Sequence, residues 1–412
     1  MEINRRGFLK TAGSLALAGS QAPLVARQDK GILVNDVHSS LNPTRVRQIE
    51  AVESLKELQR VIRGSARKGV KVSIAVGRHA MGAQQFATGS VLLDTRALGR
   101  ILDFDRERGL VKVEAGIQWP ALVNGLLKAQ RLDKRQWGIR QKQTGADRLS
   151  IGGALGANVH GRGLKMKPLV EDVEAFELVN AKGKLLTCSR KENQELFKLT
   201  IGGYGLMGLI YSVTLRLARR QKVRRVVKVI ELNEFLPAIE KRVKDGFTYG
   251  DFQYDIDEKS DTFMRRGVFS CYQPVADDVP VPEGQKELGH EDWLKLILLA
   301  YADRKKVFDT YADYYLSTSG QTYWSDTHQM SVYIDEYRKF IDAKTGRKTP
   351  SSLMISELYA PREKLTDFMN GAREILRKRG TLVIYGTIRL IEKDDETFLP
   401  WAKERYACVI FN

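Results

Sequence analysis

The chain has 412 residues, room for two or three domains of about 150 residues each. Its 43% apolar and 28% charged residues exclude a disordered or fibrous chain. The absence of any run of about 20 apolar residues excludes a multi-span membrane protein. A net charge of +17 permits attraction to anionic partners without bearing on fold, and Cys188, Cys271 and Cys408, far apart and without CxxC spacing, argue against a disulfide framework and a cysteine-based zinc site.

The chain opens Asn4-Arg5-Arg6-Gly7-Phe8-Leu9-Lys10, followed by a short apolar stretch and Leu24-Val25-Ala26. A charged start, a short apolar middle and a small-residue end are the parts of a bacterial export signal, and the paired arginines in register with Phe-Leu-Lys resemble the twin-arginine type. Residues 1–26 are therefore expected to be an address read by the twin-arginine translocase. The mature protein would then work in the periplasm or on the outer face of the membrane; a plain basic helix is the alternative.

Residues 44–69 carry apolar positions at spacings of three and four and predict a helix. Strands are predicted over 70–76, 91–94, 110–116, 172–187 (two, around the turn 181–184) and 210–217, with a helix over 119–129. This mixture predicts an α+β domain over 27–218. Residues 216–228 are rich in arginine and lysine, but no aromatic residues interleave them, so nucleic-acid binding is not expected. From 219 to 412 strands at 226–232, 248–255, 266–272, 330–334, 353–358 and 381–390 alternate with helices at 293–307 and 362–379. They predict a second domain with a largely antiparallel sheet covered by helices.

Three glycine-bearing loops stand out. Val76-Gly77-Arg78-His79-Ala80-Met81-Gly82 follows a strand directly, where successive backbone N–H groups can converge on an anion. The pattern is not GxGxxG and no helix follows closely, which disfavours a Rossmann site. The segment 149–163 holds five glycines in fifteen residues, too many for an ordinary helix. It contains Ser150, Gly152, Gly153, Gly156, Asn158, His160 and Gly161, small and polar residues suited to lying against a flat ligand. The third loop, Ile201-Gly202-Gly203-Tyr204-Gly205-Leu206-Met207-Gly208-Leu209-Ile210, runs into a strand.

In order and spacing these loops, together with Val91-Leu92-Leu93-Asp94-Thr95 and Val113-Glu114-Ala115-Gly116, resemble the FAD-binding domain of the vanillyl-alcohol oxidase (p-cresol methylhydroxylase-type, PCMH-type) superfamily over roughly residues 40–218. The branches of sugar-lactone and alditol oxidases and of decaprenylphosphoryl-ribose oxidase are the nearest. The resemblance implies a two-subdomain FAD-binding domain and a cap domain, with the isoalloxazine at their seam. It implies contacts to FAD from residues 76–82, from Ser150, Gly152, Gly153, Gly156, Asn158, His160 and Gly161, and from Gly205 and Ile210. It also implies a covalent bond from His79 to the flavin 8α-methyl carbon; a histidine that only hydrogen-bonds the loop is the alternative. No second, cysteinyl bond and no metal site is expected.

In the second domain, residues 381–395 resemble the stretch of these oxidases in which an arginine on a strand faces the flavin, which assigns that role to Arg389. Its guanidinium would stabilise negative charge or orient a substrate oxygen. Alditol oxidases have a glutamate two residues earlier, where this chain has Thr387, which weakens a polyol substrate. Strand alternation makes Glu357 a second inward-facing candidate, with a salt-bridged surface residue as the alternative. The implied reaction is oxidation of an alcohol, sugar or lactone CH–OH group by hydride transfer to flavin N5, with reoxidation by oxygen or a redox carrier. The chain stops within a buried strand, 405–412, whereas the resemblance implies further residues, so a truncated flavin-binding protein without turnover is the alternative expectation.

Overall fold

The computed structural model describes residues 31–145, 147–331, 334, 337–350 and 352–412. The export signal expected over 1–26 lies outside them. Near the start, β1 (Ile32–Val34) pairs with β2 (Thr44–Val46), and β3 (Gln48–Ala51) and β4 (Val72–Ala75) flank β5 (Val91–Asp94) in a parallel sheet. The helix expected over 44–69 is only α1 (Leu55–Arg67). Its start is set by Ser54, whose hydroxyl accepts from the Glu57 N–H, and its apolar stripe of Leu58, Val61 and Ile62 is buried. Residues 44–51 answer to neighbouring strands instead, and a helical spacing of Val46 and Ile49 does not outweigh that pairing.

A five-stranded antiparallel sheet follows. It contains β6 (Ile101–Asp105), β7 (Leu110–Glu114), β9 (Val173–Val179), β10 (Leu185–Ser189) and β11 (Leu209–Arg216), in the order β10-β9-β11-β7-β6. Between these lie α2 (Trp119–Ala129), β8 (Trp137–Gly138), α3 (Ile151–Gly156) and α4 (Gln194–Thr200). One face packs Val111, Val113, Phe176 and Val213 against Trp119, Leu122, Ile151 and Phe197. The glycine-rich segment does form a short helix, contrary to its composition. Ser150 Oγ caps α3 by accepting from the Gly153 N–H at 3.2 Å, and a Cβ at Gly152 would stand 2.8 Å from that of Ala115. The glycine is needed for close packing, which outweighs its cost of roughly 1 kcal/mol in a helix.

After β12 (Ala218–Arg219) comes a seven-stranded antiparallel sheet, in the order β16-β13-β15-β14-β18-β19-β17. Its strands are β13 (Lys222–Glu231), β14 (Tyr249–Tyr254), β15 (Arg266–Val275), β16 (Thr322–Trp324), β17 (Ser356–Pro361), β18 (Gly386–Ile391) and β19 (Tyr406–Phe411). The helices are α5 (Leu232–Lys244), α6 (His290–Ala302), α7 (Arg304–Ser317), α8 (Tyr337–Thr345) and α9 (Leu365–Arg379). The helix expected over 293–307 is two, because Asp303 at φ −150 ends α6 and its carboxylate caps α7 through the Lys306 N–H. No strand occupies the described residues of 330–334; Asp326 instead opens a short 3₁₀ turn at Thr327–Gln329. The strand expected from 381 begins at Gly386, after the left-handed Gly380 that closes α9.

Alternation divides this sheet. Phe252, Phe269, Cys271, Ile388, Leu390 and Val409 enter the core formed with Phe235 and Ile239 of α5, Leu294 of α6 and Met369 of α9. The opposite face carries Asp251, Gln253, Tyr272, Glu357, Tyr359, Thr387, Arg389 and Cys408. In register, Tyr359, Cys408 and Arg389 form one cross-strand row and Glu357, Ile410 and Thr387 the next. His160 reaches this polar face, and residues 162–164 pair with the start of β14. The Leu164 N–H donates to Thr248 O and the Gly250 N–H to Arg162 O, both at 2.9 Å.

Candidate active site

The three glycine loops converge. A Cβ on Gly77 would lie 2.8 Å from both Arg148 O and the His79 ring, so the first loop abuts the approach to the second. The Tyr204 N–H donates to Gly156 O at 2.9 Å and the Gly202 N–H to Leu155 O at 3.1 Å, tying the third loop to the end of α3. Gly205, at φ +81, stands against Ile74 of β4, the strand that feeds the first loop. Positive φ at Arg78, Asn158 and Tyr204 makes each loop turn sharply where a side chain is tolerated only at a cost.

Within the first loop, Arg78 lies 3.6 Å from Asp94, and its own carbonyl accepts from the Val37 N–H. Gln85 clamps Ala80 through both backbone groups, Met81 O accepts from Asn42 Nδ2, and the Gly82 N–H donates to Gln84. Val76 and His79 are half-buried. Other expected contacts serve the fold through their polar atoms. Ser150 Oγ caps α3, and Asn158 accepts from the Val170 N–H and donates to Asp394. Gly161 fits tightly against Lys142 O, and Ile210 sits in β11 paired with Leu178.

His160 emerges from the second loop onto the polar sheet face. Its Nδ1 faces Gly161 O at 2.9 Å, and its Nε2 lies 3.2 Å from Glu357 Oε2 and 3.7 Å from Cys408 Sγ. The Tyr359 hydroxyl donates to the same Glu357 oxygen at 2.9 Å. Trp401 stacks on Tyr359 with ring centres 4.6 Å apart, and its indole N–H donates to Asn158 O. Burial alone would lower the His160 pKa, but the Glu357 carboxylate, with Cys408, outweighs it and raises the imidazole to about 10. Burial would raise Glu357; His160 and Arg389 pull it down to about 2. Burial pushes the Cys408 thiol up, partly offset by His160. His160 and Glu357 are thus a charged pair at neutral pH.

Arg389, 3% exposed, is cross-strand from Cys408, and its charge acts on both Glu357 and Lys142. The Lys142 ammonium is fully buried, held by Asp147 at 2.5 Å and Gln143 O at 2.8 Å. Sequence reasoning reached Glu357, His160 and Arg389. It missed Tyr359, Cys408, Lys142 and Trp401 as site residues, because they meet only through pairing between distant strands and loops. Alternation with Glu357 was the one available signal, and it reached Tyr359 alone.

Buried polar atoms without a protein partner border this seam: Arg78 Nε on the first loop, and Thr387 Oγ1 and Arg389 Nε on the sheet. Such atoms are rarely left unsatisfied in a native protein. With the convergent glycine loops, they fit a flat, polar, anionic ligand such as a flavin nucleotide, which residues 76–82 and the polar sheet face would hold from opposite ends.

Comparison with known proteins agrees with this geometry. Residues 46–189 match the family described as FAD binding domain. The chain is 27% identical over 362 residues to the L-gulono-1,4-lactone dehydrogenase of Mycobacterium tuberculosis, covering 86% of this chain and 76% of that protein. It is 26% identical over 208 residues to the mitochondrial L-galactono-1,4-lactone dehydrogenase of Arabidopsis thaliana, covering 49% and 33%. It is 30% identical over 164 residues to the L-gulonolactone oxidase of Mus musculus, covering 40% and 35%.

Proposed function

We propose that the chain, whose residues 46–189 match an FAD binding domain, belongs with the PCMH-type, sugar-lactone oxidase-like FAD-linked oxidoreductases and oxidises a CH–OH group of a sugar, a lactone or a related alcohol. The observation that carries this reading is the convergence of three glycine loops, the second of which brings His160 onto a sheet face that presents Glu357, Tyr359 and Arg389. Bound FAD supplies the two-electron acceptor for the hydride that leaves the substrate carbon. A two-subdomain FAD-binding unit and a cap formed by the seven-stranded sheet are part of the proposal. The share of the lactone dehydrogenase that aligns with this chain favours a lactone or its parent sugar over a simple polyol.

The chain's own residues would act as follows. Arg389, on the polar sheet face and unpartnered at Nε, would orient a substrate oxygen and stabilise negative charge. Glu357, ionised and held by Tyr359 and His160, accepts a hydrogen bond from the substrate hydroxyl and so positions it, and the hydroxyl proton passes to solvent as hydride leaves. Trp401 and Tyr359 form an aromatic wall that limits water. His79, whose ring lies close to Gly77 in the first loop, would form the covalent flavin bond. The reduced enzyme passes its electrons to oxygen or to a redox carrier. The protein is exported by the twin-arginine translocase and works in the periplasm or on the outer membrane face.

The test begins with acid precipitation of the purified protein. Yellow, fluorescent material in the pellet, moved to the supernatant by His79→Ala, is the expected result; colour in the wild-type supernatant overturns the covalent bond. An anaerobic panel of sugars, lactones and polyols should then bleach the flavin for at least one lactone or sugar. No bleaching by any of them overturns the oxidoreductase reading in favour of a flavin-binding protein without turnover. Replacing Arg5 and Arg6 by lysine should hold the protein in the cytoplasm.

A further inference from the structure

His160, Glu357 and Cys408 come from a loop and two strands 197 and 248 positions away along the chain, yet all three donor atoms lie within 4.8 Å of one another. Three protein ligands on one tetrahedral zinc ion, bound at about 2.0–2.3 Å, stand roughly 3.3–3.7 Å apart. The imidazole–carboxylate and imidazole–thiol separations here are 3.2 and 3.7 Å. Two of the three donor separations are therefore already those of ligands on one metal, and the third is at most 4.8 Å.

The surroundings match a metal centre as well as the donors do. Gly161 O takes the Nδ1–H of His160, which turns Nε2 toward the other two groups. A histidine ligand is usually oriented by such a bond on its second nitrogen. The Tyr359 hydroxyl steadies the Glu357 oxygen in the same way. Cys408 is fully buried and Glu357 retains some exposure, so the site is closed on its sulfur side and open on its carboxylate side. One imidazole, one thiol and one carboxylate select zinc or another soft divalent ion over magnesium or calcium.

We propose that His160, Glu357 and Cys408 form a site for one soft divalent cation, zinc above all, with water as the fourth ligand. Binding requires the imidazole to be neutral at Nε2 and the thiol to be ionised, and the protons released go to solvent. The metal site does not depend on the proposed oxidation; its consequence, inhibition competitive with substrate, rests on that reading, because a metal-bound Glu357 cannot hold the substrate hydroxyl.

The test uses the flavin-loaded protein dialysed against zinc. One zinc per chain is expected, and cobalt in its place should add a thiolate-to-cobalt charge-transfer band to the difference spectrum. Cys408→Ser and His160→Gln should each weaken zinc binding by about 100-fold or more, and Tyr359→Phe by about 10-fold. Cys271→Ser should leave binding unchanged, and flavin absorbance and the unfolding midpoint show that each variant folds. No retained zinc, or equal retention in Cys408→Ser and His160→Gln, overturns the site. Zinc bound through these residues without slowing turnover supports the site and instead overturns the placing of Glu357 at the reacting substrate.

Discussion

The two faces of the seven-stranded sheet are built from the same strands and held by different forces. One face buries Phe252, Phe269, Ile388 and Val409 among helices, and any apolar residue of similar volume would serve there. The other brings Glu357, Arg389, Tyr359 and Cys408 against His160, where each group depends on a specific partner. The first face sets stability, and the second is the one to which the proposed chemistry is assigned. Substitutions on the two should therefore separate, the first moving unfolding and the second moving turnover.

The largest expected effect is on the apolar face. Phe252, fully buried with its ring 5.1 Å from Phe235, should cost about 3–5 kcal/mol of unfolding free energy on replacement by alanine, measured by denaturant titration. A cost below 1 kcal/mol would mean that this face is not a packed core. On the polar face, Arg389→Met should lower turnover by about 10²–10³-fold. Arg389→Met gives up a hydrogen bond with Tyr385 and the attraction to Glu357 but leaves no large cavity, so the unfolding midpoint should move less than for Phe252→Ala. Equal losses of stability in both variants would erase the distinction between the faces.

Gly152→Ala tests the loop side. The added methyl meets Ala115 at 2.8 Å, so about 1–3 kcal/mol of overpacking strain is expected, and flavin content should fall with it. A stabilised variant would show that the glycine serves only the local helix.

The smallest effect separates two histidines on the polar face. His160 is raised by its carboxylate partner, whereas His328 sits half-buried beside Tyr272, with Arg162 and Arg225 nearby, and is held well below 6.5, by desolvation first and then by those cations. Below pH 6.5 the unfolded chain binds a proton at His328 that the folded chain refuses. Stability is therefore present above 6.5 and falls on acidification by about 1.4 kcal/mol per pH unit. His328→Gln should flatten that slope in unfolding measurements between pH 6.5 and 5. An unchanged slope would assign it to other groups.

The glycine loops, most strands of both large sheets and the candidates Glu357 and Arg389 were legible in the sequence, because backbone permissiveness and two-residue alternation are local properties. The errors were also local. Residues 44–51 have a helical spacing but pair as strands, and Asp303 divides a continuous apolar run into two helices. Sequence by itself determined which residues could line a site and which face of each strand they would share. Only tertiary structure decided that Cys408 stands between Tyr359 and Arg389, and that His160 reaches both Cys408 and Glu357. Register between strands and the seating of a loop on a sheet depend on contacts between residues hundreds of positions apart, and no periodicity within a segment encodes them.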